Sequence, residues 1–106
     1  MNPNLSEAQF QDMIITRAKL RGWFVYHNPD SRRSTAGMPD LVLIHPRRPS
    51  ILYREVKKAG GRVSAAQTDV MDLIADAGGD VRVWRPDDWP AIVNLLDNPI
   101  DRCSVV

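Results

Sequence analysis

Two carboxylates and a lysine, Asp40, Glu55 and Lys57, fall where a short hairpin can bring them together. Residues 41–44 form a continuous apolar run and residues 51–57 alternate, so both read as strands, joined by a turn at Pro46-Arg47-Arg48-Pro49. If His45 pairs with Ser50, then Leu43 faces Leu52, Leu41 faces Arg54, and Asp40 faces Glu55. Directly opposed residues of an antiparallel pair hold their Cβ atoms about 4.5–5.5 Å apart on one sheet face. Two carboxylates placed that way repel unless something positive lies between them. Mg²⁺ fits, because it takes one or two carboxylates together with water and phosphate oxygens. Alternation puts Lys57 on the Glu55 face, one step further along. Such a set can hold a metal, orient a water and meet the charge that develops on a phosphate. The register decides the reading: a slip of one residue would undo it, leaving a solvated hairpin end of mixed charge.

The elements that would position these groups follow from periodicity. Residues 5–21 predict a helix, with Phe10, Met13, Ile14, Arg17 and Ala18 at helical spacing and Gly22 as a stop. Residues 23–27 predict a short strand, and 28–38 a polar loop. Gly60-Gly61 ends the third strand. Ser64 opens a second helix with Gln67 three residues on, a capping-box spacing, and that helix stops at Gly78-Gly79. Residues 81–85 predict a fourth strand ended by Pro86, and Asp88 is expected to cap a last helix running to Leu96. The order is α-β-β-β-α-β-α. Three strands with short connections imply an antiparallel meander, and the helix before the fourth is long enough for a parallel crossover. The expected fold is α/β, a mixed four-stranded sheet flanked by helices.

The chain has 106 residues, 43% hydrophobic and 25% charged, which suits one soluble domain with a single core and a tail beyond residue 96. No apolar run is long enough to span a bilayer, and the first residues do not read as a secretion signal. One cysteine, Cys103, excludes an internal disulfide and suits a reducing compartment, so the cytoplasm is expected. One Cys and two His are too few for a structural zinc site. The net charge of +1 decides nothing, but its distribution is uneven. Arg32, Arg33, Arg47, Arg48, Lys57, Lys58 and Arg62 make the middle basic, while the part from Asp69 onward is acidic. A phosphate-binding face on a near-neutral protein has this pattern, and so does scattered solvated charge.

Gly37-Met38-Pro39-Asp40, followed by Glu55-Val56-Lys57, resembles the motif of the PD-(D/E)XK nuclease superfamily. A more specific likeness is to its VRR-NUC group. It rests on Gly22-Trp23, His27, Ser31-Arg32-Arg33, Gln67, Val83-Trp84-Arg85-Pro86 and Asp88-Trp89, in order, across residues 5–96. The resemblance implies a restriction-endonuclease-like αβββαβ core and a metal-dependent DNA endonuclease. Members are similar to Holliday junction resolvases, and stand-alone copies, often phage-encoded, to small homodimeric endonucleases. The resemblance implies that Asp40 and Glu55 ligate Mg²⁺ or Mn²⁺ with the Val56 carbonyl, and that Glu7 completes the metal shell directly or through water. It also implies that Lys57 positions the attacking water and that Gln67 enters the site from the second helix.

Each of these residues has a plainer explanation. Glu7 shares a helix face with Phe10 and Ile14 and should point inward, yet a Glu in a first turn is favourable through the helix dipole alone. Gln67 is already explained as a cap. Arg32, Arg33, Lys58, Arg62 and Arg85 are candidates to hold DNA phosphates, or are solvated charge. His27 either touches substrate or is structural, and Trp23, Trp84 and Trp89 read as packing residues. Two further functions stay open beside the endonuclease: a non-catalytic DNA-binding module on the same fold, and a scaffold that uses the sheet to dimerise. A 12 kDa domain has little surface for reading bases, so recognition of DNA shape through the phosphates is the economical mode, and the resemblance to resolvase-like dimers implies structured or branched DNA as the substrate.

Overall fold

The computed structural model describes residues 4–28, 35–46 and 50–98. Its elements are α1 (Glu7–Leu20), β1 (Phe24–His27), β2 (Leu41–His45), β3 (Ser50–Val56), α2 (Ala65–Asp76), β4 (Asp80–Trp84), a 3-10 turn (Pro86–Asp88) and α3 (Trp89–Asp97). The strands form one sheet in the order β1-β2-β3-β4, antiparallel except for the parallel β3–β4 pair that α2 connects. The architecture is the mixed sheet flanked by helices that the element order predicts. The hairpin register also agrees: His45 pairs with Ser50, Leu43 with Leu52 and Leu41 with Arg54.

Helix boundaries follow the caps. Ser6 accepts a hydrogen bond from the Gln9 backbone while the Gln9 side chain accepts from Ser6 N, so α1 begins at Glu7 rather than residue 5. Ser64 and Gln67 make the same reciprocal pair at α2, as their spacing predicts. Asp88 departs from expectation. Its carboxylate accepts from Arg85 N and closes the 3-10 turn, and α3 starts at Trp89 without a side-chain cap. The helix also reaches Asp97, one residue past the expected end, where that carboxylate pairs with Arg17 and Arg21 and ties α3 to α1.

The two faces of the sheet are unequal. Leu41, Leu43, Leu52, Val56 and Trp84 are buried against Phe10, Ile14 and Ala18 of α1 and Ile92 and Leu96 of α3. Trp23 is buried in the same core, its indole N–H donating to the Leu96 carbonyl at 3.0 Å, and Trp89 packs against Phe10 edge-on. The other face carries α2 alone, which buries none of its own residues completely, and Phe24, Tyr26, Ile51 and Leu73 stay exposed. Among the described residues no helix is long and apolar enough to cross a membrane.

Candidate active site

The hairpin's open end carries Asp40 immediately before β2 and Glu55 one residue before the end of β3. Asn28 N donates to the Asp40 carbonyl at 2.8 Å, which fastens the end of β1 to this point. The Asp40 carboxylate crosses to the neighbouring strand, where its Oδ2 accepts from Val56 N at 2.8 Å. Glu55 is 1% exposed. Its Oε1 accepts from Gln67 Nε2 at 3.2 Å and lies 3.7 Å from Lys57 Nζ, whereas its buried Oε2 has no partner. Asp40, Glu55, Lys57 and Gln67 are therefore brought together as the register requires. Gln67 caps α2 with its amide oxygen and holds Glu55 with its amide nitrogen, so both readings of that residue describe one side chain.

The loop before Asp40 is held against α2 by a glycine. Gly37 has φ +91°, and a Cβ on it would stand 2.2 Å from the Ala66 carbonyl oxygen and 2.9 Å from Val70 Cγ2. Only a residue without a side chain allows this approach in that conformation. The loop and the first turn of α2 thus fix Asp40 and Gln67 relative to each other.

Burial pushes the Glu55 carboxyl up to about 8, and the adjacent Asp40 carboxylate adds to the shift while Lys57 opposes it. A buried acid in this state needs either a proton or a cation. The unpartnered Oε2, the opposed Asp40 and the hard-oxygen donor set fit a divalent cation in that place. Among the described residues no three His, Cys, Asp or Glu side chains form a ready-made metal cage. Glu7 sits in the first turn of α1 and, contrary to the inward orientation its helical spacing predicts, it is exposed and opens onto the cleft beside Asp40.

That cleft has a volume of about 290 Å³ and is lined by α1, the end of β1, residues 35–40 and Gln67. A larger depression of about 620 Å³ lies around Ile44, Ile51 and Tyr53 at the other end of the sheet, away from the paired carboxylates. Lys58 and Arg62 are exposed in the segment after β3. Arg85 braces that segment, its Nη1 donating to Gly61 O at 2.8 Å and Lys58 O at 3.3 Å. Arg32 and Arg33 lie outside the described residues, as do Arg47 and Arg48. The residue that the sequence reading overlooked is Gln11, which lines the cleft with Glu7 and contacts His27. Its position four residues after Glu7, hence on the same helix face, is the signal that would have found it.

Among curated proteins none matches the chain. A solved structure described as a VRR_NUC domain protein aligns with a TM-score of 0.68 over 92% of this chain and 92% of its own, at 20% identity. That likeness concerns the fold. The VRR-NUC domain profile matches residues 4–88, from the start of α1 through the 3-10 turn, a span that contains Asp40, Glu55, Lys57 and Gln67. The chain therefore belongs to the VRR-NUC domain family, a family of nuclease-type DNA-processing domains.

Proposed function

We propose that this protein is a Mg²⁺- or Mn²⁺-dependent endodeoxyribonuclease, of the PD-(D/E)XK type, that hydrolyses phosphodiester bonds in branched or structured DNA. The observation that carries the reading is the buried, partly unsatisfied Glu55 carboxylate set against Asp40. An apolar pair in that place would pack at far less electrostatic cost.

Asp40 and Glu55 would hold the cation, with the Val56 carbonyl as a further ligand and Glu7 reaching it through water. A bound divalent ion supplies Lewis acidity toward the phosphoryl oxygen and a more acidic water. Lys57, with its ammonium 3.7 Å from Glu55 Oε1, orients the attacking water and offsets negative charge as the oxygen–phosphorus bond forms and the phosphorus–oxygen ester bond breaks. Gln67 holds Oε1, and the unpartnered Oε2 would be the oxygen left for the ion. Lys58 and Arg62 meet flanking phosphates, with Arg32, Arg33 and Arg85 as further candidates. The exposed apolar patch of Phe24, Tyr26 and Ile51 is the kind of surface an assembling protein covers, which supports a homodimer. Two sites related by a two-fold axis suit cleavage of paired strands at a branch. The cytoplasm suits a DNA substrate and the single cysteine.

The test is incubation with labelled four-way junction, flap, duplex and single-stranded DNA in Mg²⁺ or Mn²⁺, with chelator and Asp40→Asn as controls. Cleavage that needs the metal and vanishes in the variant is expected, strongest on branched DNA. Salt-sensitive binding of every substrate without cleavage of any would replace this reading with a non-catalytic DNA-binding module.

A further inference from the structure

We propose that His27 is a substrate-binding residue of the cleft, donating from Nδ1 to a phosphate oxygen of the bound DNA strand, and that Gln11 is the positioning residue that aims it. The assignment rests on the nuclease reading for the identity of the ligand. The geometry that supports it is separate from the paired carboxylates.

His27 is the last residue of β1 and pairs with Leu41, directly after Asp40. The hydrogen bond from Asn28 N to the Asp40 carbonyl fixes the spacing between these two strand ends. The imidazole therefore stands at a defined place beside the reacting centre. Its Nε2 lies 2.6 Å from Gln11 Nε2, and both side chains line the cleft that Asp40 and Glu7 also line. An amide N–H donating to Nε2 places the ring proton on Nδ1. Among the described residues Nδ1 has no partner.

The cleft wall makes this free donor useful. Of the described side chains lining it, Glu7 and Asp40 are carboxylates, whereas His27 presents a ring N–H donor. Lys57, Lys58 and Arg62 all come from the end of β3 and the segment after it. Among the described residues of the α1–β1 wall, the His27 ring N–H stands beside two carboxylates, Glu7 and Asp40, that repel a phosphodiester. A histidine kept for packing would be buried, as His45 is in part, with its ring edge-on to Trp23. His27 is exposed, and its bond to Gln11 is exposed as well. Holding an exposed imidazole in one orientation contributes little to folding and much to a contact that needs a fixed donor.

The test uses the full chain and fluorescence anisotropy of labelled four-way junction and duplex DNA, with Ca²⁺ in place of Mg²⁺. His27→Ala is expected to raise Kd about threefold to tenfold. Its melting temperature should stay within about 3 °C of the parent protein, as for other exposed substitutions. Gln11→Ala gives a smaller rise, and the double variant is no worse than His27→Ala, because Gln11 acts through His27. His27→Gln, which keeps a donor, recovers part of the loss. In Mg²⁺ turnover, His27→Ala raises KM more than it lowers kcat. Unchanged DNA affinity in His27→Ala, or a loss matched by a fall in melting temperature, overturns the assignment. A parent protein that binds DNA and cleaves nothing defeats the nuclease reading, while the affinity comparison still decides His27.

Discussion

Replacing Glu55 with Gln separates the energetic cost of the site from its chemistry. The Glu55 carboxyl is raised to about 8 from an ordinary value of 4.5, first by burial and then by Asp40. The folded protein therefore binds this proton more tightly than the unfolded chain does. Stability from that proton is fully present below the unfolded value and is lost as pH rises through the folded one. At roughly 1.4 kcal/mol per pKa unit, the loss between pH 6 and pH 9 comes to roughly 2–3 kcal/mol. For a domain of this size that is roughly 10–20 °C of melting temperature. The amide of Glu55→Gln keeps an acceptor for Gln67 and never ionises, so the variant's melting temperature should change far less over the same range. Thermal melts followed by circular dichroism at pH 6, 7, 8 and 9 in chelator measure this directly. Added Mg²⁺ should restore the parent protein at pH 9 and leave Glu55→Gln unmoved, because the ion replaces the missing proton. Parallel pH profiles for the two proteins would refute the buried-carboxylate argument, and with it the main support for the metal site.

Other perturbations address the remaining parts. Asp40→Asn should reduce metal-dependent cleavage at least 100-fold while DNA affinity in Ca²⁺ is kept, as read by gel cleavage and anisotropy. Gly37→Ala should destabilise the fold by roughly 2–4 kcal/mol, because its Cβ meets the Ala66 carbonyl and its φ is positive, and denaturant unfolding reads that loss. Gln67→Ala should cost about 1 kcal/mol through the lost cap and also lower kcat, whereas Ser64→Ala should lower stability alike with kcat retained. Arg85→Ala should free the segment at Lys58 and Gly61, raising KM and hydrogen-exchange rates there more than it changes kcat.

The site was legible because it sits on a hairpin. Once His45 was paired with Ser50, the period of two in a strand carried the register to Asp40 and Glu55 without further information. The capping boxes are legible in part: Ser64 and Gln67 announce α2, whereas the Ser6–Gln9 box that starts α1 at Glu7 lies inside the span 5–21 that periodicity gives to the helix. Asp88 misled because a Pro-Asp-Asp run closes a 3-10 turn with the same residue types that begin an α-helix. Glu7 misled for a different reason. The buried residues of its face are Phe10, Ile14 and Ala18; one turn earlier Glu7 is exposed and lines the cleft. Helical spacing gives a direction around the axis and cannot say where along the axis the core ends. The pairing of Gln11 with His27 spans 16 residues and depends on how α1 crosses β1, which no local pattern encodes.

Arg54 and Glu55 show why burial has to be read together with its partners. They are neighbours on β3, both charged and both 1% exposed, and they point to opposite faces. Arg54 donates to the Tyr53 and Asp80 carbonyls and to Asp80 Oδ1, and it stacks 4.8 Å above the Trp84 ring, so its charge is answered from several sides. Burial lowers its pKa, and Asp80 opposes that. Such a residue is accounted for by the fold. Glu55 faces the Asp40 carboxylate, with Lys57 3.7 Å from its Oε1, and its Oε2 has no hydrogen-bond partner. A fold under no functional constraint would shed that carboxylate, since a neutral isostere fills the same space at lower cost. Each of these adjacent buried charges leaves one atom without a partner, Arg54 Nε and Glu55 Oε2, so the difference lies in the charge each one faces: Asp80 answers Arg54, whereas Glu55 lies against a second carboxylate, the mark of a residue kept for its chemistry.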